Sequence, residues 1–471
     1  MHVVHLSVEC FPLAKVGGLA DVVGALPRYQ RKLGVDAWVV IPYYDKAFTQ
    51  ENNFVKVSEG SFLQGSEELF YEVIKLKSDK KLGFPLYLIR IPGKLDREEV
   101  YCYPDEGEQW IAFQHAFLHW IKNAGIKPDL INCHDHHVGL IPFLLKHSND
   151  FKEFESVKTV LTVHNGQYQG WLPWHKGVLL PGFDTWKWGL LDWDGMINPL
   201  AAAVKCCDAF TTVSPGYLQE LFVEANGLQG LFAAEAQKGF GIVNGIDDAY
   251  WNPAADKLIA INYDAESSKS GKQKNKKLFC EKYGLSADLP LLTYIGRFAG
   301  EKGADLLPEI IQTIFSNKEN KLSIFILGSG DSEIQANIQK QLLAYPERLA
   351  AFFGYNEALA HEVYAAADMI LMPSRVEPCG LNQLYAMKYG TIPIVREIGG
   401  LKDTVRDVSE RNGYGFVFAE ADSQDAAEAI ERALNYIGQR GKLQRVRRKE
   451  MELNFSWDKS AQEYINLYNR L

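Results

Sequence analysis

Short apolar runs alternate with helix-length segments along most of this 471-residue chain. The runs predict buried strands over residues 2–9, 37–41, 86–91, 130–133, 159–163 and 209–213, and again over 291–295, 322–327, 351–354, 369–372 and 392–395. Between the first two runs, Leu19, Val22, Val23 and Leu26 recur at helical spacing. Strands that are separated by helices favour parallel sheets covered on both faces, which is an α/β fold.

The alternation weakens between residues 251 and 290 and then restarts. Within that stretch, residues 267–274 are polar and basic, and we expect them to form a flexible surface segment or hinge. The pattern predicts two doubly wound, Rossmann-like domains, over residues 1–245 and 246–455, that face each other across a cleft. Residues 456–471 predict a closing amphipathic helix.

Composition narrows the class of protein. The formal net charge is −9, which argues against a nucleic-acid or anionic-membrane partner. The seven cysteines are an odd number without a CxxC pair, so we expect reduced thiols and a cytoplasmic protein. The N-terminus lacks the pattern of a signal peptide, and no apolar stretch approaches the ~20 residues that span a bilayer.

Two glycine-rich turns follow predicted strands at corresponding places in the two halves. The first, Lys15-Val16-Gly17-Gly18-Leu19, precedes a helix whose free N–H groups could receive an anion. In the second, residues 296–303, Arg297 offers a planar fork and Lys302 a mobile charge, which together suit a diphosphate. The alternatives are an ordinary tight turn and an ordinary charged loop. Neither turn fits a Walker A loop or the G-x-G-x-x-G of nicotinamide dehydrogenases.

Glu377 precedes a third glycine turn. A helix is predicted to begin near Gly380, with its N-terminus again available to a phosphate. The Glu377 carboxylate lies where it could accept hydrogen bonds from sugar hydroxyls, and the alternative is a solvated loop glutamate. 

Histidines cluster after the strand at residues 130–133. His134, His136 and His137 lie within four residues, but neighbouring histidines on one loop rarely converge on one ion, so no metal site is predicted. Asp135 and His136 are instead expected to form part of a hydrogen-bonding rim for a hydroxyl-rich ligand. His164 ends another strand, where it could meet a substrate or be a core histidine.

Tryptophans are dense between residues 171 and 193. Flat aromatic faces suit pyranose rings, but tryptophan also fills cores, and we expect most of the five in this stretch to pack in the core.

Taken together, these motifs resemble those of bacterial glycogen synthases and plant starch synthases. The resemblance runs from residue 1 to 471, in the family's order. It is carried by Lys15-Val16-Gly17-Gly18-Leu19, His134-Asp135-His136-His137, Thr162-Val163-His164-Asn165, Tyr168-Gln169-Gly170, Asn244-Gly245-Ile246-Asp247, Gly296-Arg297-Phe298, Glu377-Pro378-Cys379-Gly380-Leu381 and Gly399-Gly400-Leu401. Departures from the family's usual residues occur at Asn382 and at Gly166-Gln167.

The resemblance implies a two-domain GT-B glycosyltransferase that moves glucose from ADP-glucose to an α-1,4-glucan such as glycogen. It implies catalytic roles for Glu377, His164, Arg297 and Lys302. The implied donor site comprises Lys15, Gly18, Asn244, Arg297, Lys302, Tyr355, Glu377, Cys379, Gly380 and Leu381, with Tyr355 beside the adenine. The implied acceptor rim comprises Asp135, His136, Tyr168 and Gln169. The final helix would pack back on the first domain.

The resemblance also favours same-face attack, which retains the α configuration, because no second carboxylate is placed by a motif for double displacement. No metal or other cofactor is expected if Arg297 and Lys302 stabilise the leaving diphosphate. Three alternatives stay open: a catalytically silent glucan-binding or regulatory protein on the same fold, a transferase that uses another nucleotide sugar, and a glucan phosphorylase. Intact Lys15, Arg297, Lys302 and Glu377 argue against the first.

Overall fold

A computed structural model describes residues 1–439 and 441–471. The chain forms two compact units. Unit 1 comprises Met1–Gly245 together with Trp457–Leu471, and unit 2 comprises Ile246–Ser456. The predicted α/β fold class is confirmed, because both units are built on largely parallel sheets that alternate with helices. None of the described helices is both long and apolar enough to cross a bilayer.

Unit 1 contains a sheet in the order β12-β11-β8-β7-β1-β2-β5-β4-β3, with β6 beside β2. Its strands are β1 (His2–Leu6), β2 (Asp36–Tyr44), β3 (Phe54–Gln64), β4 (Glu67–Leu76), β5 (Leu86–Arg90), β6 (Asp96–Arg97), β7 (Leu130–His134), β8 (Lys158–Val163), β11 (Ala209–Thr212) and β12 (Gly239–Gly241), while β9 (Asp192–Trp193) and β10 (Met196–Ile197) pair separately. The pairs β3–β4 and β4–β5 are antiparallel, so one edge of the sheet departs from the expected parallel pattern.

The helices of unit 1 are α1 (Gly18–Lys32), α2 (Ala47–Glu51), α3 (Glu106–Asn123), α4 (Ile141–His147), α5 (Pro199–Cys206), α6 (Pro215–Leu221), α7 (Gln229–Ala234) and, from the end of the chain, α16 (Trp457–Tyr468). Helix α1 buries the predicted apolar face, and α16 packs against it through Trp457, Tyr464 and Tyr468. The final helix therefore returns to the first unit, as the resemblance implied.

Unit 2 contains a sheet of six parallel strands in the order β15-β14-β13-β16-β17-β18. They are β13 (Leu291–Phe298), β14 (Ser323–Gly330), β15 (Leu349–Phe353), β16 (Met369–Met372), β17 (Ile392–Arg396) and β18 (Phe416–Phe418). Counted within the unit, this is the order 3-2-1-4-5-6 of a Rossmann sheet, whose ligands bind where the strand order reverses. That point lies between β13 and β16. Arg297 lies near the end of β13, and Glu377 lies in the loop that follows β16.

The helices of unit 2 are α8 (Ser268–Tyr283), α9 (Leu307–Ser316), α10 (Ser332–Ala344), α11 (Glu357–Ala366), α12 (Asn382–Lys388), α13 (Gly399–Thr404), α14 (Ser423–Ile437) and α15 (Lys442–Met451). The prediction of a flexible hinge at residues 267–274 was wrong, because nearly all of this segment lies in α8. The buried Lys272 ammonium explains the difference: it donates to the Tyr364 and Tyr389 carbonyls and to Thr391 Oγ1 at 2.8–3.0 Å.

Candidate functional site

A buried carboxylate shapes the first glycine turn. Glu9 is 3% exposed, and its Oε2 accepts hydrogen bonds from the backbone N–H groups of Val16 at 2.6 Å and Gly17 at 3.0 Å. Tyr101 donates its hydroxyl to the other Glu9 oxygen at 2.6 Å. Lys15 lies on the exposed side of the turn and pairs with Asp21 at 2.7 Å. The turn is thus fixed by Glu9, whereas the Lys15 ammonium stays partly accessible.

Helix α1 begins at Gly18, directly after Gly17. A Cβ built at Gly17 or Gly18 would meet no atom of the protein within 4 Å. Neither glycine has a positive φ, so packing and backbone conformation do not explain why glycine stands there. The backbone at the N-terminus of α1 is therefore not covered by other atoms of the described residues at this point.

Asp135 holds the backbone of His164. Asp135 is a non-glycine residue with φ of 60°, a sparsely populated conformation that is found at functional sites. Its Oδ1 accepts the His164 N–H at 2.7 Å. Burial raises the pKa of the Asp135 carboxyl to about 7, with the backbone hydrogen bonds to His164 and Asn165 acting in the opposite direction. Asp135 therefore acts on the position of His164 and is itself nearly enclosed.

His164 is partly exposed at the end of β8. Its Nε2 contacts Nδ1 of His134 at 2.9 Å, and burial lowers the pKa of the His164 imidazole to about 3. The imidazole is therefore neutral at physiological pH, and it can exchange hydrogen bonds with a ligand without carrying a charge.

The predicted acceptor-rim residues have different environments. Tyr168 is 57% exposed, whereas His136 is nearly buried, and a Cβ at Gly170 would come within 2.6 Å of the His136 ring. Gln169 is buried, and its amide is engaged within the protein, donating to the Ala225 and Asn226 carbonyls and accepting from Asn198. A direct contact between Gln169 and a sugar would require this network to open.

A cavity of about 340 Å³ lies within unit 1 beside His136. Its lining includes Glu106, Trp110, His136, His137, Trp171 and Lys176. Burial lowers the pKa of the His136 imidazole to about 4, so this histidine too is neutral. The His137 ring stacks on Tyr101 with centroids 5.3 Å apart, which connects the cavity wall to the residues that fix the first glycine turn. Its mixture of aromatic faces and polar groups suits a carbohydrate ring.

The expectation that most tryptophans between residues 171 and 193 pack in the core was wrong. Trp171, Trp186 and Trp188 are 41%, 75% and 54% exposed, and Trp174 and Trp193 are only half-buried. This segment consists of turns, 3₁₀ helices and the short strand β9, all outside the main sheet, so all five rings are at least partly exposed.

In unit 2, Glu377 and Lys302 form a close ion pair. Lys302 Nζ lies 2.8 Å from Oε1 of Glu377, and the Ser374 hydroxyl donates to Oε2 at 2.9 Å. Glu377 is 6% exposed, so both of its oxygens are held by short contacts in a protected position. The two predicted residues are therefore brought together by the loops that follow β13 and β16.

Arg297 lies at the end of β13, which extends three residues beyond the predicted strand, to Phe298. Its guanidinium is 64% exposed and pairs with the Glu301 carboxylate. The Glu301 carbonyl accepts the N–H groups of Arg375 at 2.8 Å and Val376 at 3.1 Å. The segment from Arg297 to Lys302 is thus hydrogen-bonded to the loop that carries Glu377.

The turn at Gly380 requires glycine. Its φ is +72°, and a Cβ there would lie 2.5 Å from the Gln383 side chain. Cys379 is buried, and its carbonyl lies so close to Gly400 that a Cβ at that position would be 2.1 Å away. Leu381 precedes α12, which begins at Asn382 and not at Gly380. The departure at Asn382 has a structural role, because its Nδ2 donates to the Ile295 carbonyl at 2.7 Å.

Tyr355 and Asn244 complete the predicted donor set. The Tyr355 side chain is 75% exposed, and its hydroxyl donates to Glu357 at 2.8 Å. Asn244 is 5% exposed, and within the described residues its Oδ1 is a buried acceptor with no hydrogen-bond donor. Both features suit a ligand contact.

The histidine cluster is arranged as a chain of side-chain contacts. His134 lies between the other two rings, and its two nitrogens contact a nitrogen of His5 at 3.0 Å and a nitrogen of His164 at 2.9 Å. Among residues 1–439 and 441–471, no group of three or more His, Cys, Asp or Glu side chains has a geometry that could hold a metal ion.

Several supporting residues could not be identified from the sequence. Glu9 ends an apolar run that predicts a longer strand, yet β1 stops at Leu6 and leaves the carboxylate free to turn inward. Tyr101 and Ser374 lie in loops without any periodic pattern. The signal that could have revealed Glu9 is a charged residue at the end of an otherwise apolar run, a few residues before a glycine turn.

Two families match the chain in succession. The family described as starch synthase catalytic domain matches residues 2–234, and the one described as glycosyl transferases group 1 matches residues 275–449. The chain is 48% identical to a glycogen synthase of Flavobacterium johnsoniae, covering 100% of this chain and 99% of the relative. It is 36% identical to a glycogen synthase of Geobacillus thermodenitrificans, covering 100% and 98%.

Solved structures agree with the sequence matches. The catalytic domain of starch synthase IV from Arabidopsis thaliana, bound to ADP and acarbose, superposes with a TM-score of 0.89 at 30% identity, over 100% of this chain and 99% of that one. Sucrose-phosphate synthase from Thermosynechococcus elongatus, at 18% identity and a TM-score of 0.64, shares the fold. With full-length identity of 48% to a glycogen synthase and a matching fold, the chain belongs to the glycogen and starch synthase family of glycosyltransferases.

Proposed function

We propose that this enzyme transfers glucose from ADP-glucose to the non-reducing end of an α-1,4-glucan, with retention of the α configuration. The observation that carries the proposal is the group around Glu377 in unit 2. A protected carboxylate, held by Lys302 at 2.8 Å, lies on a loop bonded to the one that carries the exposed Arg297. The relative named as a starch synthase was solved with ADP and acarbose, a nucleotide and a sugar compound, which supports a site of this kind.

The cations stabilise the leaving group in this scheme. When the bond between glucose C1 and the diphosphate oxygen breaks, negative charge grows on ADP, and Arg297 and Lys302 are the groups that oppose it. Lys15 adds a third charge, and the open space at Gly18 admits phosphate oxygens to the first turn of α1. No metal ion is required, because these side chains supply the positive charge.

The sugar is positioned by neutral and acidic groups. Glu377 is proposed to accept hydrogen bonds from glucose hydroxyls, and the family resemblance implies sugar contacts for His164 and Asn244 as well. The acceptor 4-hydroxyl attacks C1 on the face that the diphosphate leaves, and its proton passes to a diphosphate oxygen, so atoms and charges balance. The acceptor glucan lies along Asp135, His136 and Tyr168, and the neighbouring cavity of about 340 Å³ accommodates one of its sugar rings.

The setting is proposed to be the reducing cytoplasm. The seven cysteines are thiols outside any disulfide, and six of them are buried, as is typical of proteins in a reducing compartment.

Donor kinetics test the proposal. With glycogen as acceptor, kcat/KM for ADP-glucose should exceed that for UDP-glucose by at least about tenfold, or ~1.4 kcal/mol, because adenine offers the larger surface to Tyr355. The rate should persist in EDTA. Equal use of the two donors would refute the assignment of ADP-glucose, and loss of activity in EDTA that Mg²⁺ restores would refute catalysis without a metal.

A further inference from the structure

A chain of side-chain contacts leads from the partly exposed His164 through buried residues to the C-terminal helix. His164 Nε2 contacts His134 Nδ1 at 2.9 Å, and His134 Nε2 contacts His5 Nδ1 at 3.0 Å. His5 Nε2 contacts the side-chain oxygen of Gln30 at 2.7 Å, and the Gln30 amide nitrogen donates to the Tyr468 hydroxyl at 3.3 Å. We call these five residues the histidine chain. It crosses unit 1 through β8, β7, β1, α1 and α16.

The far end of the histidine chain has a fixed direction. Tyr468 donates its hydroxyl to Asn132 Oδ1 at 2.5 Å. The Asn132 amide nitrogen in turn donates to the Thr162 hydroxyl at 2.9 Å. Because the Tyr468 proton is used in this way, its oxygen is free to accept from Gln30, and the Gln30 carbonyl oxygen is left facing His5.

That direction determines where each imidazole proton lies. The Gln30 oxygen can only accept, so His5 carries its proton on Nε2 and offers a lone pair at Nδ1. His134 must then donate from Nε2, and His164 must do the same. Each ring has a single proton, since burial lowers the pKa of His5 to about 4 and that of His164 to about 3, and lowers that of His134 well below its ordinary value. His164 is therefore left with an unprotonated Nδ1.

We propose that Gln30 and Tyr468 are positioning residues that act through His5 and His134 to hold His164 in its Nε2–H form, with Nδ1 ready to accept a hydrogen bond from a sugar hydroxyl. The inference rests on the proposed function in one respect, namely that His164 contacts the glucosyl group. It assigns the C-terminal helix a role in the reaction through Tyr468, beyond its packing on α1.

The opposite tautomer would be unproductive. A proton on Nδ1 of His164 would place an N–H donor against a sugar hydroxyl that should itself donate. A hydrogen bond could then form only if the hydroxyl rotated and accepted the N–H of His164. Loss of the fixed direction should therefore lower kcat about tenfold, while KM for the glucan, which is set along the rim, should change less than twofold.

Two variants and a matched control test the proposal in the full-length enzyme. Gln30→Met removes the terminal acceptor, and Tyr468→Phe removes only the oxygen that orients Gln30. Tyr464→Phe is the control, because Tyr464 is a buried tyrosine one turn earlier on α16, with its ring 6.1 Å from that of Tyr468, and is not a member of the histidine chain.

The readout is the tautomer itself. In enzyme labelled with ¹⁵N in its histidine rings, two-bond ¹H–¹⁵N correlation spectra distinguish the two neutral tautomers, and the His164 signals are identified by their loss in His164→Gln. We expect Nε2–H for His164 in the wild type and in Tyr464→Phe. Gln30→Met and Tyr468→Phe should give mixed tautomers and a kcat about tenfold lower. If Gln30→Met does not fold, Tyr468→Phe alone decides the matter.

Each other outcome overturns a stated part. A wild-type His164 in the Nδ1–H form overturns the direction of the chain. A tautomer unchanged in Tyr468→Phe overturns the role of the C-terminal helix. Mixed tautomers with an unchanged kcat overturn the effect on the reaction. A wild type that shows the expected spectra but transfers no glucose overturns the proposed function, and leaves the hydrogen-bond direction established.

Discussion

Arg297 should matter for catalysis far more than for stability. Its side chain is 64% exposed, and its partner Glu301 lies four residues away along the chain. Exposed ion pairs of this kind contribute about 0–1 kcal/mol to folding, so Arg297→Ala should lower the free energy of unfolding by less than about 1 kcal/mol. Under the proposed function, the same change removes a cation from the leaving diphosphate, and loss of one such group costs roughly 10²–10³ in kcat, or about 2.7–4 kcal/mol.

The assay compares stability and rate in the same preparations. Urea unfolding gives the stability, and release of ADP from ADP-glucose in the presence of glycogen gives kcat. Arg297→Lys should also be slow, because a point charge does not replace the planar fork. The matched control is Arg448→Ala, which removes another exposed arginine of unit 2 that pairs with Glu266 at 3.0 Å. A stably folded Arg297→Ala enzyme with wild-type kcat would refute the reasoning.

Three further predictions concern the donor turn, the base contact and pH. Gly18→Ala should fold normally, because a Cβ there meets nothing within 4 Å, yet it should raise KM for ADP-glucose. Gly380→Ala should raise the same KM and also lower the stability of the fold, because the φ of Gly380 is +72°. Normal donor kinetics for Gly18→Ala would remove Gly18 from the site. Tyr355→Ala should weaken use of ADP-glucose more than of UDP-glucose, and an unchanged ratio in donor competition would clear Tyr355 of this role. Burial keeps the pKa of His5 and His164 far below 6.5, so both imidazoles take up protons on unfolding below that pH. The free energy of unfolding should therefore fall from pH 6.5 towards pH 4, by up to ~1.4 kcal/mol per pH unit for each histidine. Melting temperatures measured across this range check the prediction.

The parts of the fold that the sequence predicts well are those buried by apolar side chains. Strand β16 has the predicted bounds, and β7 and β8 differ from theirs by one residue. Nearly all of their side chains are buried, as is typical of strands in a parallel sheet that is covered on both faces. The β3–β4 hairpin carries no such signal, since most of β3 is exposed or half-buried. Helix α8 was missed for another reason: its buried face includes Ser268, Lys272 and Asn275, so the helical period is present but its members are polar.

The candidate site divides along the same line. The glycine turns and their cations stand out because glycine next to Arg or Lys after a strand is unusual chemistry, and the structure shows Lys302 beside Glu377. Residues that act on others are invisible to such reasoning. Glu9 stands out only as a charged residue at the end of an apolar run, and Gln30 only as a polar residue four positions after Leu26 on an apolar helix face. Neither signal identifies the partner that the residue meets in the folded chain.

Elongation of a defined acceptor tests the central claim most directly. The full-length enzyme is incubated with ADP-glucose and maltoheptaose in EDTA, and the product is examined by proton NMR. We predict stoichiometric release of ADP and a new α-1,4-linked glucose at the non-reducing end, with this signal reduced by roughly 10²–10³ in rate for Arg297→Ala. A β-linked product would contradict retention, and the absence of any transfer from ADP-glucose would contradict the proposed function itself.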